Sequence, residues 1–276
     1  MAKLVKRIDQ IYCQVESVGD VNKLYYLFSN TLGFPEAWPP TDKKSYYGGG
    51  VYTGNTWLKW VSFNTKSYTM SDKPAKFRSI SMEPNGYERC LKELEKRGIK
   101  IEFDGAATIA DQSGQEQEWA RDSSFTGSPF KEVNLWVGKY APLAFSALTT
   151  TPDAKDLDEH YEIMRKRLDV VGGGPLGIRY VKEVEFGVKD EKSRAAWQAL
   201  LSPVNPVEDV WKLGKGPALR LSHDKENRIN SISIRVKSLR VAKKVLKMYG
   251  LLGEADESMV ALDKKKVNNL DIRFVK

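Results

Sequence analysis

The chain has 276 residues, of which 41% are hydrophobic and 29% charged, a composition typical of globular proteins with a hydrophobic core. No run of about 18 apolar residues is present, which excludes a transmembrane helix. The two cysteines, Cys13 and Cys90, exclude a disulfide framework and a four-cysteine zinc site. The N-terminal segment has no apolar stretch or cleavage site typical of a secretory signal, so we expect a cytoplasmic location.

The net charge of +8 is unevenly distributed along the chain. Residues 1–176 contain 23 basic and 23 acidic side chains, whereas residues 177–276 contain 21 and 13. This difference predicts two units: a first domain over residues 1–150 and a basic second domain over 177–276, joined by a linker over 151–176. The basic unit could attract anionic ligands, or it could simply have a solvated lysine-rich surface.

The first half begins with an alternating apolar and polar segment, residues 8–15 (IDQIYCQV), which predicts a strand. A predicted helix follows over residues 21–30, and then two short strands over 46–52 and 57–63. Gly48-Gly49-Gly50 lacks the Lys-Ser/Thr of a phosphate-binding loop, so it predicts a tight turn.

The same pattern recurs along the chain. Residues 79–98 (SISMEPNGYERCLKELEKRG) align without a gap with residues 231–250 (SISIRVKSLRVAKKVLKMYG), and residues 8–15 match residues 181–188 (VKEVEFGV). Each copy has a strand, an amphipathic helix and further short strands, which indicates internal duplication. The copies lie near residues 7–63, 77–150, 178–223 and 229–275.

Between the two halves, residues 156–167 are rich in charged side chains and predict a connecting helix that ends before Gly172. His160 lies in this stretch, and the surrounding charges predict that it is exposed.

The repeated order resembles the vicinal oxygen chelate superfamily, which includes glyoxalase I, bleomycin-resistance proteins and extradiol dioxygenases. The resemblance implies an α+β fold of four βαβββ modules, the last one short, paired into two domains with curved mixed sheets. Family members often pair within or between chains, so a homodimer is one open alternative. The segments that carry the resemblance are IDQIYCQVESVGDVNKLYYLFSNTLGF, GGGVYTGNTWLKWVSF, GPALRL and SISIRVKSLRVAKKVLKMYGLLG.

The resemblance also implies a position for metal ligands, commonly His or Gln on the first strand of a module and Glu on the last strand. Several matching positions here have cationic or hydroxyl side chains, and a cation has no lone pair to donate to a metal ion. We therefore expect no metal and no other cofactor. The matching positions are Gln10 and Lys59 in module one, Ser79 and a residue within 144–148 in module two, Glu183 and Arg220 in module three, and Ser231 and Arg273 in module four.

Strand alternation predicts which side chains of the first domain face its cavity. These residues would form a pocket with aromatic walls, one cation and several polar groups, which is typical of small-molecule sites. Alternatively, Lys59 pairs with a carboxylate and the aromatic side chains belong to the core. The predicted lining is Gln10, Tyr12, Trp57, Lys59, Ser79 and Ser81.

The second domain offers Glu183, Arg220 and Arg273 at the corresponding positions. They could form a buried Arg–Glu network that fills the former metal site, or the two arginines could bind an anion. His223 follows the strand of Arg220 and could reach the cavity rim as a proton-transfer residue.

Several functions fit these features. The first is binding of a small anionic or carbonyl-bearing aromatic molecule in a metal-free cavity. An alternative is a metal-independent isomerase or lyase that uses Lys59, Tyr12 and His223 as catalytic residues. A metal-dependent dioxygenase or lyase ranks below both, and nucleic-acid binding ranks last because only the net charge supports it.

Overall fold

A computed structural model of the chain describes residues 3–71, 73–99 and 157–276, together with the backbone of three strands between them. The strands of the first half are β1 (Val5–Gln14), β2 (Glu36–Asp42), β3 (Tyr47–Tyr52), β4 (Trp57–Ser62), β5 (Lys76–Pro84), β6 (Ile101–Ala110), β7 (Glu116–Phe125) and β8 (Asn134–Tyr140). Its helices are α1 (Val18–Tyr26), which continues into a π-helical turn over Leu27–Thr31, and α2 (Tyr87–Lys96).

Helix α3 (Leu157–Val170) connects the halves and confirms the predicted connecting helix. The second half contains helices α4 (Glu191–Leu201) and α5 (Leu239–Met248). Its strands are β9 (Ile178–Val188), β10 (Val210–Trp211), β11 (Ala218–His223), β12 (Arg228–Val236), β13 (Leu252–Ala255), β14 (Met259–Leu262) and β15 (Ile272–Val275).

The strands form two mixed sheets, each built from two modules. The first sheet has the order β2-β3-β4-β1-β5-β8-β7-β6, and the second has the order β10-β11-β9-β12-β15-β14-β13. In both sheets the first strands of the two modules pair antiparallel at the centre, β1 with β5 and β9 with β12. The predicted α+β class with paired modules is therefore confirmed. The fourth module is short, as predicted, and the third is reduced further, with only two strands after its helix.

The two sheets repeat the same register position by position. Tyr12 pairs with both Lys59 and Ser79, and Glu185 pairs with both Arg220 and Ser231. Breaks in the register also recur at equivalent places, between Ile8 and Gln10 in β1 and between Val181 and Glu183 in β9. The duplication seen in the sequence is thus preserved at the level of single hydrogen-bonded pairs. The equivalent positions are Gln10 and Glu183, Tyr12 and Glu185, Lys59 and Arg220, Ser79 and Ser231, and Ser81 and Ser233.

One face of each sheet packs against its helices. Ile11 and Cys13 of β1 are fully buried against α1, as their alternation predicts. Helix α1 begins after Ser17, whose hydroxyl accepts a hydrogen bond from the Asp20 backbone N–H. Of the two hydrophobic clusters among the described residues, the larger one extends over both halves of the chain and includes Trp60 of the first sheet and Trp197 of α4.

Two asparagines connect the halves through hydrogen bonds. The side chain of Asn55 bonds both backbone groups of Val181, at 2.9 Å each. Asn268 has a left-handed backbone with φ of 52° and donates to Asp20 Oδ1 at 3.0 Å, while it accepts from Lys23 Nζ at 2.9 Å. Together with the shared core, these bonds fix one half against the other.

One sequence-based expectation about the first sheet is corrected. Gly48-Gly49-Gly50 does not form a turn but lies within β3, where β-carbons would approach Pro40 to 2.9 Å and the Trp38 ring to 2.9 Å. The expected last strand of module two, near residues 144–148, lies outside the described residues. The strand that pairs in parallel with β5 is β8, and its register aligns Trp136 with Ser81.

Candidate functional site

The face of the first sheet that points away from α1 contains the predicted pocket residues, and we call it the site face. Register places Gln10 beside Trp57 and Ser81, and Tyr12 beside Lys59 and Ser79. The structure therefore brings the six predicted residues together on adjacent strands. They differ in accessibility, because Ser79 and Ser81 are each 2% exposed whereas Tyr12 and Lys59 are only partly buried.

Lys59 lies among three aromatic rings on the site face. Its ammonium lies 4.6 Å from the ring centre of Tyr46, 5.4 Å from that of Tyr12 and 5.9 Å from that of Trp38. Lys59 Nζ also donates a hydrogen bond to Tyr46 Oη at 2.9 Å. Such rings attract a cation through their electron-rich faces, but they do not neutralise its charge.

Lys59 has no carboxylate partner within 4.0 Å in the described part of the chain. The predicted alternative in which a carboxylate pairs with Lys59 is therefore not seen among these residues. An ammonium has three N–H donors, and one of them is directed to Tyr46. The aromatic frame and the partial burial of the charge make this position suitable for an anionic group.

The opposite end of the site face is covered by helix α3. His160 stacks on Trp57 with ring centres 4.5 Å apart, and Tyr161 lies 5.3 Å from the same ring. Trp57 is consequently 1% exposed and packs within an aromatic cluster, so it is not an accessible wall of the pocket. This finding corrects the predicted ligand-binding role of Trp57.

The same helix overturns the prediction for His160. The side chain is 1% exposed, because α3 crosses the site face instead of lying in solvent. Burial, together with the weaker effect of the nearby Arg167 charge, lowers the pKa of His160 to about 3. His160 is therefore neutral throughout the physiological pH range.

A buried carboxylate, Asp9, fixes helix α3 to the sheet. Tyr161 donates its hydroxyl proton to Asp9 Oδ1 at 2.7 Å, and Trp57 Nε1 donates to the same oxygen at 3.3 Å. Gln10 Nε2 donates to Asp9 Oδ2 at 3.2 Å, so Gln10 is 9% exposed and supports this network. Burial raises the pKa of Tyr161, and the Asp9 charge raises it further.

The second sheet has Arg–Glu ion pairs at the equivalent positions, but they are partly exposed, whereas a buried network was predicted. Arg220 Nε donates to Glu183 Oε1 at 2.7 Å, and the Glu183 bond raises the pKa of Arg220. Arg273 Nη1 lies 3.5 Å from Glu185, which also accepts from Ser231 at 2.9 Å. Arg273 further pairs with Asp271 at 2.8 Å. Arg220 and Arg273 therefore each have a counter-ion.

His223 does not join either group of candidates. It pairs with Val188 at the end of β11, three residues after Arg220, so alternation directs it to the opposite face of the second sheet. The side chain is exposed. The structure thus separates His223 from Lys59 and Tyr12, which lie on the other sheet.

The described side chains at the positions where the resemblance implies metal ligands do not fit a divalent ion. Lys59 and Arg220 offer no lone pair, and Arg220 and Arg273 already occupy the carboxylates of Glu183 and Glu185. Across the residues that the structure describes, no three His, Cys, Asp or Glu side chains are grouped to hold a metal ion. Likewise, no described helix has the length and apolar character needed to cross a membrane.

Two residues near the site, Tyr46 and Tyr161, were not predicted from the sequence. Trp38 was expected in a rigid loop at the cavity mouth, but it lies in β2. Tyr46 precedes β3, which pairs with β4, and Trp38 reaches Lys59 from β2 on the far side of β3. Tyr161 comes from the connecting helix, far from Asp9 in the sequence. The alternation of β1 and β4 identifies only the side chains of those two strands, and the other contacts depend on strand order.

Comparison with solved structures supports the architecture over nearly the whole chain. A Mn(II)-bound glyoxalase from Novosphingobium aromaticivorans matches 99% of this chain and 82% of its own, with 11% identity and a TM-score of 0.58. The 2,3-dioxygenase LapB from Pseudomonas sp. KL28 matches 100% and 93%, with 9% identity and a TM-score of 0.58. A hypothetical protein from Staphylococcus aureus matches 97% and 98%, with 8% identity and a TM-score of 0.59.

No family model and no curated protein matches the sequence. At these low identities the structural likeness concerns the fold and not the reaction. The paired modules and the two mixed sheets nevertheless agree with the resemblance inferred from the repeats. The chain therefore has the same fold as these solved structures, a glyoxalase and a 2,3-dioxygenase among them.

Proposed function

We propose that the first half binds a small planar anion, such as an aromatic carboxylate or an enolate, on its site face. The observation that carries this proposal is the environment of Lys59, a partly buried ammonium framed by three aromatic rings. Its only described hydrogen bond goes to the neutral hydroxyl of Tyr46. A ligand carboxylate would supply the missing negative charge, while its ring would pack on Tyr12 or Trp38.

The energetics favour an anion at this position. A charge removed from water is costly unless it is paired, and a bound carboxylate would offset that cost. A charge-assisted hydrogen bond contributes roughly 1.5–3 kcal/mol, which corresponds to about tenfold or more in affinity. The aromatic rings add contact area but no competing counter-ion.

The second half is less suited to the same ligand. Its equivalent cation, Arg220, already donates to Glu183 at 2.7 Å, and Glu185 occupies the position of Tyr12. An incoming anion would have to displace a carboxylate that is part of the chain. The proposal therefore assigns ligand binding to the first half.

A second candidate function is proton transfer next to a carbonyl group, as in a metal-independent isomerase or lyase. Two phenols, Tyr12 and Tyr46, lie beside the Lys59 ammonium, so an enolate oxygen near Lys59 would be stabilised while solvent water accepts the proton that leaves the neighbouring carbon. His223 has no part in this version, because it lies on the other sheet.

Calorimetric titration with salicylate and 4-hydroxybenzoate tests the binding proposal. We expect Lys59→Met to weaken binding by about tenfold or more, because the variant keeps the side-chain length and loses the charge. Lys59→Arg should retain most of the affinity. The matched control is Lys243→Met, which removes an exposed charge on α5. Equal affinities of the wild type and Lys59→Met would refute the proposal.

Phenylpyruvate in deuterated buffer distinguishes the second candidate. If the protein catalyses proton exchange, the NMR signal of the carbon-bound proton next to the carbonyl should disappear faster with wild type than with buffer or Lys59→Met. Binding without faster exchange supports the binding function alone.

A further inference from the structure

A groove with a volume of about 950 Å³ lies at one end of the second sheet, beside the turn that follows helix α3. Five cationic side chains from α3, β9, β12 and the residues that follow β12 and β15 line it, together with one acidic side chain, Asp169. The groove is far larger than one ion and falls within the size range of small-molecule sites. The five cationic side chains are those of Arg165, Arg179, Arg235, Lys237 and Lys276.

The one carboxylate is shared between two of the arginines. Arg165 Nη1 lies 2.8 Å from Asp169 and also binds Glu162, whereas Arg179 Nη1 lies 3.9 Å from Asp169. Neither Arg235 nor Lys237 forms an ion pair within the residues that the structure describes. The groove therefore has an excess of positive charge that the described carboxylates do not balance.

Arg235 and Lys237 are held in place by neutral contacts. Arg235 Nη1 donates to Tyr180 Oη at 2.9 Å, and the guanidinium lies 5.8 Å from the centre of the Tyr180 ring. The stem of Lys237 crosses Gly177, where a β-carbon would lie 3.2 Å from Lys237 Cβ. The Lys237 backbone N–H also donates to Gly177 O at 2.8 Å. Both charges are thus directed by local packing.

Comparison with the first half shows what is different at this end. By register, Tyr180 and Arg235 occupy the positions of Arg7 and Glu83. In the first half, Arg7 binds Glu83 at 2.5 Å and also Asp158 of α3, so charges are balanced and the end is covered by the helix. In the second half, a cation replaces Glu83 and the end is open as a groove.

We infer that this groove, which we call the cationic groove, binds a small phosphorylated ligand. Guanidinium groups bind phosphate oxygens in bidentate geometry, and a lysine adds a mobile point charge. Two or more phosphoryl groups could contact Arg179, Arg235 and Lys237 together. The proposal is independent of Lys59, which lies on the other sheet.

Calorimetric titration of the full chain with inorganic pyrophosphate and with ADP at low ionic strength tests this inference. The double variant R235Q/K237Q should bind at least about tenfold more weakly, because each neutralised cation loses a charge-assisted contact. The matched control, K243Q/K247Q, removes two exposed charges from α5 and should change affinity less than about twofold. Lys59→Met should bind pyrophosphate as the wild type does.

The two probes separate the sources of a phosphoryl group. Tighter binding of ADP indicates a phosphorylated organic molecule, and equal binding indicates inorganic phosphates; both support the site if R235Q/K237Q reduces them. The inference is overturned if the wild type binds neither probe, or if the control pair reduces affinity as much as the groove pair. Preference for duplex DNA over both probes would also overturn it, because a steep salt dependence would then reflect diffuse charge.

Discussion

Lys59 and Arg220 occupy the same place in two copies of one module, but their neighbours differ. Lys59 stands beside Tyr12, whereas Arg220 stands beside Glu185 and donates to Glu183. A cation next to a phenol keeps its charge available, while a cation next to carboxylates is already paired. At the scale of single residues, one neighbouring side chain therefore distinguishes a candidate binding site from a structural ion pair.

His160 should make the stability of the protein depend on pH. Its pKa is lowered from an ordinary value of 6.5 to about 3 in the folded chain, chiefly by burial. Between these values the unfolded chain binds more protons, so acidification below pH 6.5 destabilises the fold. Between pH 7 and pH 5 this effect should lower the free energy of unfolding of the wild type by about 2 kcal/mol, and His160→Phe should abolish that loss.

Urea unfolding of wild type and His160→Phe at both pH values measures this effect. The carboxylates are the same in the two proteins, so the difference between them isolates the histidine. An identical pH dependence of the two unfolding free energies would contradict the prediction.

Tyr161 should stabilise the buried Asp9 carboxylate. In Tyr161→Phe, Asp9 Oδ1 loses the hydroxyl donor at 2.7 Å while remaining 1% exposed. We expect a loss of about 2 kcal/mol in the free energy of unfolding, because the buried carboxylate loses its shorter donor and keeps only the longer Trp57 hydrogen bond on this oxygen. Tyr180→Phe is the matched control, since it removes a hydroxyl from a partly exposed tyrosine, and it should cost less than about 0.5 kcal/mol.

At the scale of elements, two segments shape the site face. Helix α3 covers the end at Trp57, and strand β3 brings the β2 ring of Trp38 close to Lys59. The approach of β2 to β3 depends on glycines, because the Trp38 ring lies where a side chain at Gly50 would project. The geometry around Lys59 therefore depends on glycines, which leave room for the Trp38 ring, as well as on the side chains that contact Lys59.

Gly50→Ala should disturb this arrangement. Its β-carbon would lie 2.9 Å from Trp38 Cε3 and 3.0 Å from Leu58 O, so the strand or the ring must move. Overpacking of this kind costs roughly 1–3 kcal/mol, and binding of salicylate should weaken along with it. Thermal unfolding and titration of Gly50→Ala check both effects, with exposed Thr41→Ala as the control. Unchanged stability would show that β2 can shift freely.

The sequence predicted the elements better than their contacts. Alternation in residues 8–15 placed Gln10 and Tyr12 on one face and Cys13 on the other, because the period of two is a property of the strand itself. The burial of His160 could not be predicted, since a charged helix can lie in solvent or cross a sheet with the same local pattern. Strand order and helix docking are long-range properties that local periodicity does not specify.

At the scale of the whole molecule, the two halves share one core. Trp60 and Trp197 belong to the same buried cluster, and Asn55 and Asn268 add hydrogen bonds between the halves. The division into domains over residues 1–150 and 177–276 stays a prediction. A continuous core favours cooperative unfolding even where the sequence is clearly duplicated.

Chemical denaturation should therefore show a single transition. Far-UV circular dichroism reports both sheets, and tryptophan fluorescence reports buried rings in both halves, such as Trp60 and Trp211. The two signals should give the same midpoint and the same slope. Separate transitions would indicate that each half folds independently, in agreement with the domain division.

The matched registers of the two sheets also suggest how one copy in a duplicated chain can lose its anion-binding site. Since Glu185 stands where Tyr12 stands in the earlier copy, Tyr12→Glu would place a tethered anion within reach of the Lys59 ammonium. In this variant the glutamate carboxylate would pair with Lys59, and salicylate would have to displace it to bind. One substitution could thus abolish ligand binding in one half while the fold is retained. The other half could then acquire a different ligand.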